Sequence, residues 1–97
     1  TEAEFFSIKS LYQALKSQFY SSLGDLYHEL EDNLSSDKSY DQALRLDPNN
    51  VYVLNNYSYY LSLRKEKLDK AKEMSLKSNR IAPGQSSFQD TYAWILY

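Results

Sequence analysis

One short pattern limits this chain more than any other: Tyr20-x-x-Leu23-Gly24-x-x-Tyr27, large apolar side chains at helical spacing with a single glycine among them. Further on, Ala43-Leu44-Arg45-Leu46-Asp47-Pro48-Asn49-Asn50 reads as a helix tail and its stop, because the residue before a proline avoids the α region. The arrangement then returns. Leu54-x-x-Tyr57-Ser58-x-x-Leu61 and Gln89-x-x-Tyr92-Ala93-x-x-Leu96 align with the first stripe, at a period of about 34 residues. In the helices that follow, Ser36, Tyr40 and Ala43 align with Ala71, Ser75 and Ser78, and Pro48 aligns with Pro83. Such a repeat implies helix–turn–helix units, each burying its apolar face on its neighbours. Gly24, Ser58 and Ala93 then mark the close crossing, where only a small side chain fits between paired helices.

Composition agrees with an all-α chain. Two glycines and two prolines in 97 residues are few for an all-β protein built from many turns. With 42% hydrophobic and 25% charged residues, the chain falls among ordinary globular sequences. Its ten tyrosines need places where the ring is buried and the hydroxyl is not. Charge is divided unevenly: residues 1–50 hold nine acids against four bases, and residues 51–97 hold four acids against seven bases. The absence of cysteine removes disulfides, thiolate chemistry and cysteine zinc sites, and is compatible with either a cytoplasmic or a periplasmic location. No apolar run reaches the length of a membrane span, and no signal peptide is visible. A start without methionine and an end at Trp94-Ile95-Leu96-Tyr97, inside an amphipathic pattern, read as an excised piece of a longer protein.

Phe5, Ile8, Tyr12 and Leu15 set an amphipathic helical rhythm that continues through Phe19, Leu23, Leu26 and Leu30. Either one long helix covers about residues 2–31, or a tight bend lies near residues 16–18. The absence of Gly, Pro or Asn there favours the long helix. A second helix, capped by Asn33, Ser35 or Ser36, ends before Pro48. A third, capped by Asn49 or Asn50, runs from about Val51 to Arg64 and buries Leu54, Tyr57, Leu61 and Tyr60. After a turn at Arg64-Lys65-Glu66-Lys67, a fourth runs to about Ile81 and stops at Pro83-Gly84. Ser86-x-x-Gln89 or Ser87-x-x-Asp90 would form a capping box for a fifth, with Tyr92, Ile95 and Leu96 facing inward.

On Leu23, Gly24, Tyr27, Ala43 and Pro48, the chain resembles the tetratricopeptide repeat family, in a bacterial-type form, over roughly residues 17–97. It departs at Tyr20, where tryptophan is common, and at Ser36, Ser75 and Ser78. The resemblance implies a single repeat domain of about five helices, stacked as a right-handed superhelix. Residues 1–16 would be an N-terminal helix, 17–50 the first repeat, 51–85 the second, and 86–97 the first helix of a truncated third. It also implies a concave groove lined by first helices, which binds a peptide or protein segment. By position the groove would hold Asp25 and His28, then Tyr52, Asn55, Asn56 and Tyr59, then Asp90 and Trp94, with Ser21 and Thr91 beside them. Exposed tyrosine and tryptophan on such a face belong to the class enriched at binding hot spots. The family's basic clamp for a terminal carboxylate is not expected, because Ser21, Asp25, Ser87 and Thr91 stand where its other residues would be. The alternative is an architectural spacer or oligomerisation module with no ligand of its own.

Other chemistries are disfavoured. Asp25, His28, Glu29 and Asp32 share a helix face and include metal-ligand types, but a solvated acidic face explains them more simply, and no cofactor is expected. The cations between Arg64 and Arg80 are interrupted by Glu66, Asp69 and Glu73 at spacings that favour intrahelical pairs, so a nucleic-acid surface is not expected. No glycine-rich phosphate loop or nucleophile–histidine motif points to an enzyme. The expected partner is a protein or peptide, with self-association through the uncapped ends a further expectation.

Overall fold

The computed structural model describes residues 1–97 and is all-α. Its helices are α1 (Glu2–Glu29), α2 (Asn33–Leu46), α3 (Val51–Leu63), α4 (Leu68–Ile81) and α5 (Ser86–Leu96). They form two compact units, Thr1–Asn50 and Val51–Tyr97. No helix is long and apolar enough to cross a membrane.

In the first unit α1 runs unbroken for 28 residues, so no bend interrupts it near residue 17. Thr1 starts it with a capping box: its Oγ1 accepts the Glu4 amide at 3.2 Å, and the Glu4 carboxylate reaches back to the Thr1 nitrogen. After α1 the chain turns through Glu31, a non-glycine residue at φ 60°. Asp32, rather than Asn33, Ser35 or Ser36, caps α2, its carboxylate accepting the Ser35 amide at 3.1 Å. Hydrogen bonding from Ser35 holds the Asp32 carboxyl below its ordinary value.

The α1–α2 interface is made of small residues facing one large one. Ser17, Ser21 and Gly24 are the buried residues of α1, while Tyr40 and Ala43 are fully buried on α2. A Cβ added at Gly24 would lie 2.4 Å from the Tyr40 ring, so glycine is what admits that ring. Serine hydroxyls tie the backbones together: Ser17 donates to the Ala43 carbonyl and Ser36 to the Gly24 carbonyl, both at 2.8 Å. Residue 17 meeting 43 while 24 meets 36 shows that the helices run antiparallel. Asn50 closes the unit by donating to the Ser17 hydroxyl at 3.0 Å.

The apolar rhythm of α1 lies on a different face. Phe5, Ile8, Leu11, Tyr12, Leu15, Phe19, Leu26 and Leu30 are each more than half exposed, and Tyr20, Leu23 and Tyr27 are half-buried. The periodicity therefore places the helix, but it does not mark the face that α2 covers.

In the second unit, Leu54, Tyr57, Ser58 and Leu61 of α3 are buried together with Ala71, Met74, Ser75 and Ser78 of α4. Tyr60 is half-buried. The Tyr57 hydroxyl accepts from Lys70 Nζ at 3.3 Å. The turn into α4 uses left-handed backbone at Lys65 (φ 57°) and Lys67 (φ 44°), with Arg64 paired to Glu66 at 3.1 Å. Lys67 gives α4 no side-chain cap.

After Gly84, at φ 89°, α5 begins behind Gln85 without a side-chain cap, so neither serine forms the expected capping box. Phe88 and Thr91 are its buried residues. Asn79 anchors the helix, its Nδ2 donating to the carbonyls of both Ser75 and Phe88 at 3.0 Å. Tyr92 and Ile95 are only half-buried and Leu96 is exposed, because the inward face of α5 falls on Phe88 and Thr91 instead.

Candidate protein-binding surface

Once Val53, Leu54, Tyr57, Ser58, Leu61 and Ser62 are buried, α3 has one open face. It carries Tyr52, Asn55, Asn56, Tyr59 and Leu63, at helical spacings of three and four. On α5 the same rule leaves Ser87, Asp90 and Trp94 outward, next to the buried Thr91. These two helices touch within the second unit. Between them Tyr59, Leu63, Ser87, Asp90, Thr91 and Trp94 line an open cleft of about 430 Å³.

The aromatic side chains at this surface are not consumed by the core. Tyr52 is 66% exposed, Tyr59 39% and Trp94 53%. Tyr52 leans edge-on against the buried Phe88, with ring centroids 6.4 Å apart and planes at 80°. That contact orients one side of the ring and leaves the rest to solvent. Asn55 donates from Nδ2 to the Asn56 Oδ1 at 3.3 Å, while its own Oδ1 is buried without a hydrogen-bond partner. Asp90 is the charged residue in the cleft lining, and no lysine or arginine lines it. A carboxylate ligand would therefore find no cation there, whereas a cationic or polar–aromatic segment would find an acid and two aromatic faces.

The expected site residues separate by unit. Tyr59, Asp90 and Trp94 converge in the cleft, and Tyr52, Asn55 and Asn56 extend the same face of α3. Asp25 and His28 belong to the last turns of α1 in the other unit. Asp25 has a structural bond as well, accepting from the Tyr40 hydroxyl across the α1–α2 interface. His28 is half-buried near the C-terminal end of α1. Ser21 is buried on the face where Ser17 and Gly24 meet α2, and so does not line an open surface. Leu63 is the cleft residue that the sequence reading passed over. Its signal was present, since it stands four residues after Tyr59 on the stripe that also holds Tyr52 and Asn56.

Helix–turn–helix pairs that meet through small side chains at a fixed period define a helical-repeat protein. Two family models described as tetratricopeptide repeat match the chain, one over residues 17–50 and the other over residues 39–73. Together they span residues 17–73, more than half of the chain, which belongs to the tetratricopeptide repeat family. The two matches are out of phase: the first covers a first and a second helix, and the other begins inside α2 and ends inside α4. No curated protein matches the chain. Repeats of this family generally mediate protein–protein interactions.

Proposed function

We propose that this chain is a non-catalytic interaction scaffold whose second unit binds a peptide or protein segment on the open face of α3 and α5. The observation that carries the proposal is the pair of exposed aromatic rings, Tyr59 and Trp94, on the rim of the same cleft. Large, stiff aromatic side chains gain contact area at small entropic cost, which is why they dominate binding hot spots. The ligand that suits the lining is a short apolar or aromatic segment with a cationic residue placed to meet Asp90. Tyr52, Asn55 and Asn56 continue the surface along α3 and offer amide groups to the backbone of such a segment. Asp25 and His28, on the first unit, are not part of this surface.

Selection of peptides from a random library on the intact chain tests this reading. Binders should make Trp94 fluorescence respond. They should lose at least about tenfold in affinity on Trp94→Ala, and again on Tyr59→Ala, as expected for central aromatic anchors. Both positions are surface-exposed, so helix content should be unchanged. Binders indifferent to both substitutions, or no binders at all, would defeat the proposal and leave the chain as an architectural module.

A further inference from the structure

The exposed stripe of α1 has no partner within its unit. Phe5, Ile8, Tyr12, Leu15 and Phe19 succeed each other at spacings of three and four, and Leu23, Leu26 and Leu30 carry the stripe on after one further step of four. That extra step brings the average close to the 3.6 residues of a straight helix, so the stripe does not wander around α1. The face that meets α2, marked by Ser17, Ser21 and Gly24, lies roughly 170° away around the helix. Nothing in the α1–α2 pair therefore stands in the way of a second helix laid along the stripe.

We infer that this stripe is a self-association seam, on which α1 of a second copy of this chain packs in parallel and in register. Two features select a second copy. The first is charge. In the heptad frame Phe5, Tyr12 and Phe19 take the first core position, and Ile8 and Leu15 the second. Glu4 and Leu11 then flank one side of the seam, and Lys9 and Lys16 the other. In a parallel pair each flanking residue meets the one five positions later on its partner, so Glu4 faces Lys9 and Leu11 lies under the Lys16 stem, twice over by symmetry. The second feature is area. The seven stripe residues that are more than half exposed, with the flanking Leu11, offer roughly 900 Å² per copy, comparable to the ~800 Å² per partner of a standard stable interface.

Sedimentation equilibrium across a wide concentration range tests the seam directly. The chain should approach twice its 11.4 kDa mass at high concentration. Tyr12→Glu/Leu15→Glu should weaken the dimer at least about tenfold, because it buries four carboxylates in the seam. Both positions are exposed in the single chain, and circular dichroism should show its helix content intact. Orientation has its own readout, since the chain has no cysteine and an introduced thiol can pair only between copies. Ile8→Cys should oxidise to a covalent dimer much faster than Gln13→Cys, which lies outside the seam. A monomer at every concentration, with the stripe left for a segment of another protein, would overturn the inference. So would a dimer that survives the glutamates, or equal rates for the two cysteines. The cleft residues of the second unit are untouched in every variant, so peptide binding there can fail or succeed independently.

Discussion

The two units build the same helix crossing with their large side chain on opposite partners. In the first, α1 contributes Gly24 and α2 contributes Tyr40, whose fully buried ring occupies the space beside the glycine. In the second, α3 contributes the large residue, Tyr57, beside Ser58, and α4 has the small Ser75 where the first unit has Tyr40. The hydroxyls follow the exchange. Tyr40 on the second helix donates to Asp25 on the first, whereas Tyr57 on the first helix accepts from Lys70 on the second. A repeat thus preserves the volume of its crossing and the exit of one phenolic hydroxyl toward a charge, without preserving which helix supplies the ring. The rule behind both is dense packing around a buried aromatic ring whose polar tip must find a partner.

Removing the ring is the strongest way to break this comparison. Tyr40→Ala should cost about 3–5 kcal/mol, the usual penalty for emptying a buried aromatic site, because the small residues of α1 cannot move in to fill it. Urea unfolding followed by circular dichroism, with hydrogen exchange to localise the loss to α1 and α2, measures it. A cost below about 1 kcal/mol would show that the ring is not the keystone of the first unit.

Gly24→Ala comes next. Its new Cβ would sit 2.4 Å from two Tyr40 ring carbons, and overpacking of this kind costs about 1–3 kcal/mol, against a gain in helix propensity of about 1 kcal/mol. The sharper version transplants the solution of the second unit. Leu23→Tyr/Gly24→Ser/Tyr40→Ser should be more stable, by about 1 kcal/mol or more, than the sum of its three single costs. Strict additivity would mean that the two crossings are unrelated arrangements rather than one arrangement reflected.

How much of this was legible in the sequence follows from the same residues. The spacing of Leu23, Gly24 and Tyr27 located a close crossing, and the breaks at Pro48 and Pro83 set the helix ends, because backbone sterics and side-chain size act locally. Which face of α1 would be covered was not legible. Its strongest hydrophobic signal, Phe5 through Leu30, is on the side away from α2, and the buried face is composed of serines that no hydropathy pattern would select. The Ser17 hydroxyl is satisfied by the Ala43 carbonyl and the Ser36 hydroxyl of α2 by the Gly24 carbonyl, pairings that exist only once the helices have met. The cleft was half legible for a similar reason. Tyr59 and Trp94 were identifiable as aromatics left over on their helices, but their convergence with Leu63 depends on how α5 docks, which Asn79 helps to fix.

Ser75 offers a smaller effect of opposite sign. It is fully buried, with its hydroxyl unpartnered, although its carbonyl accepts from both Ser78 and Asn79. Ser75→Ala removes that orphaned polar atom and keeps the small volume the crossing requires. It should therefore be neutral or stabilising by up to about 1 kcal/mol. Trp94, the chain's one tryptophan, lies in the same unit and gives a convenient fluorescence readout. A loss of 1 kcal/mol or more would mean that the hydroxyl contributes to the α3–α4 interface after all.

The smallest contrast lies in how the second helix of each unit begins, and it concerns pH. Asp32 caps α2 through the Ser35 amide, whereas α4 starts at Lys67 with no side-chain acceptor, so only the first unit has a titratable cap. Because hydrogen bonding from Ser35 lowers the Asp32 pKa in the folded chain, the cap's contribution is fully present above the unfolded carboxyl value of roughly 4, and is lost as pH falls through the lower folded value. Asp32→Asn keeps an oxygen acceptor without the charge, and Asn is about as good at a helix N-cap. The Ser35 amide resonance should therefore shift with acid in the wild-type chain, with a midpoint below that of an unstructured aspartate, and stay flat through the same range in Asp32→Asn. If Ser35 titrated identically in both chains, the acid response would belong to some other carboxylate, and the two helix starts would differ only in geometry.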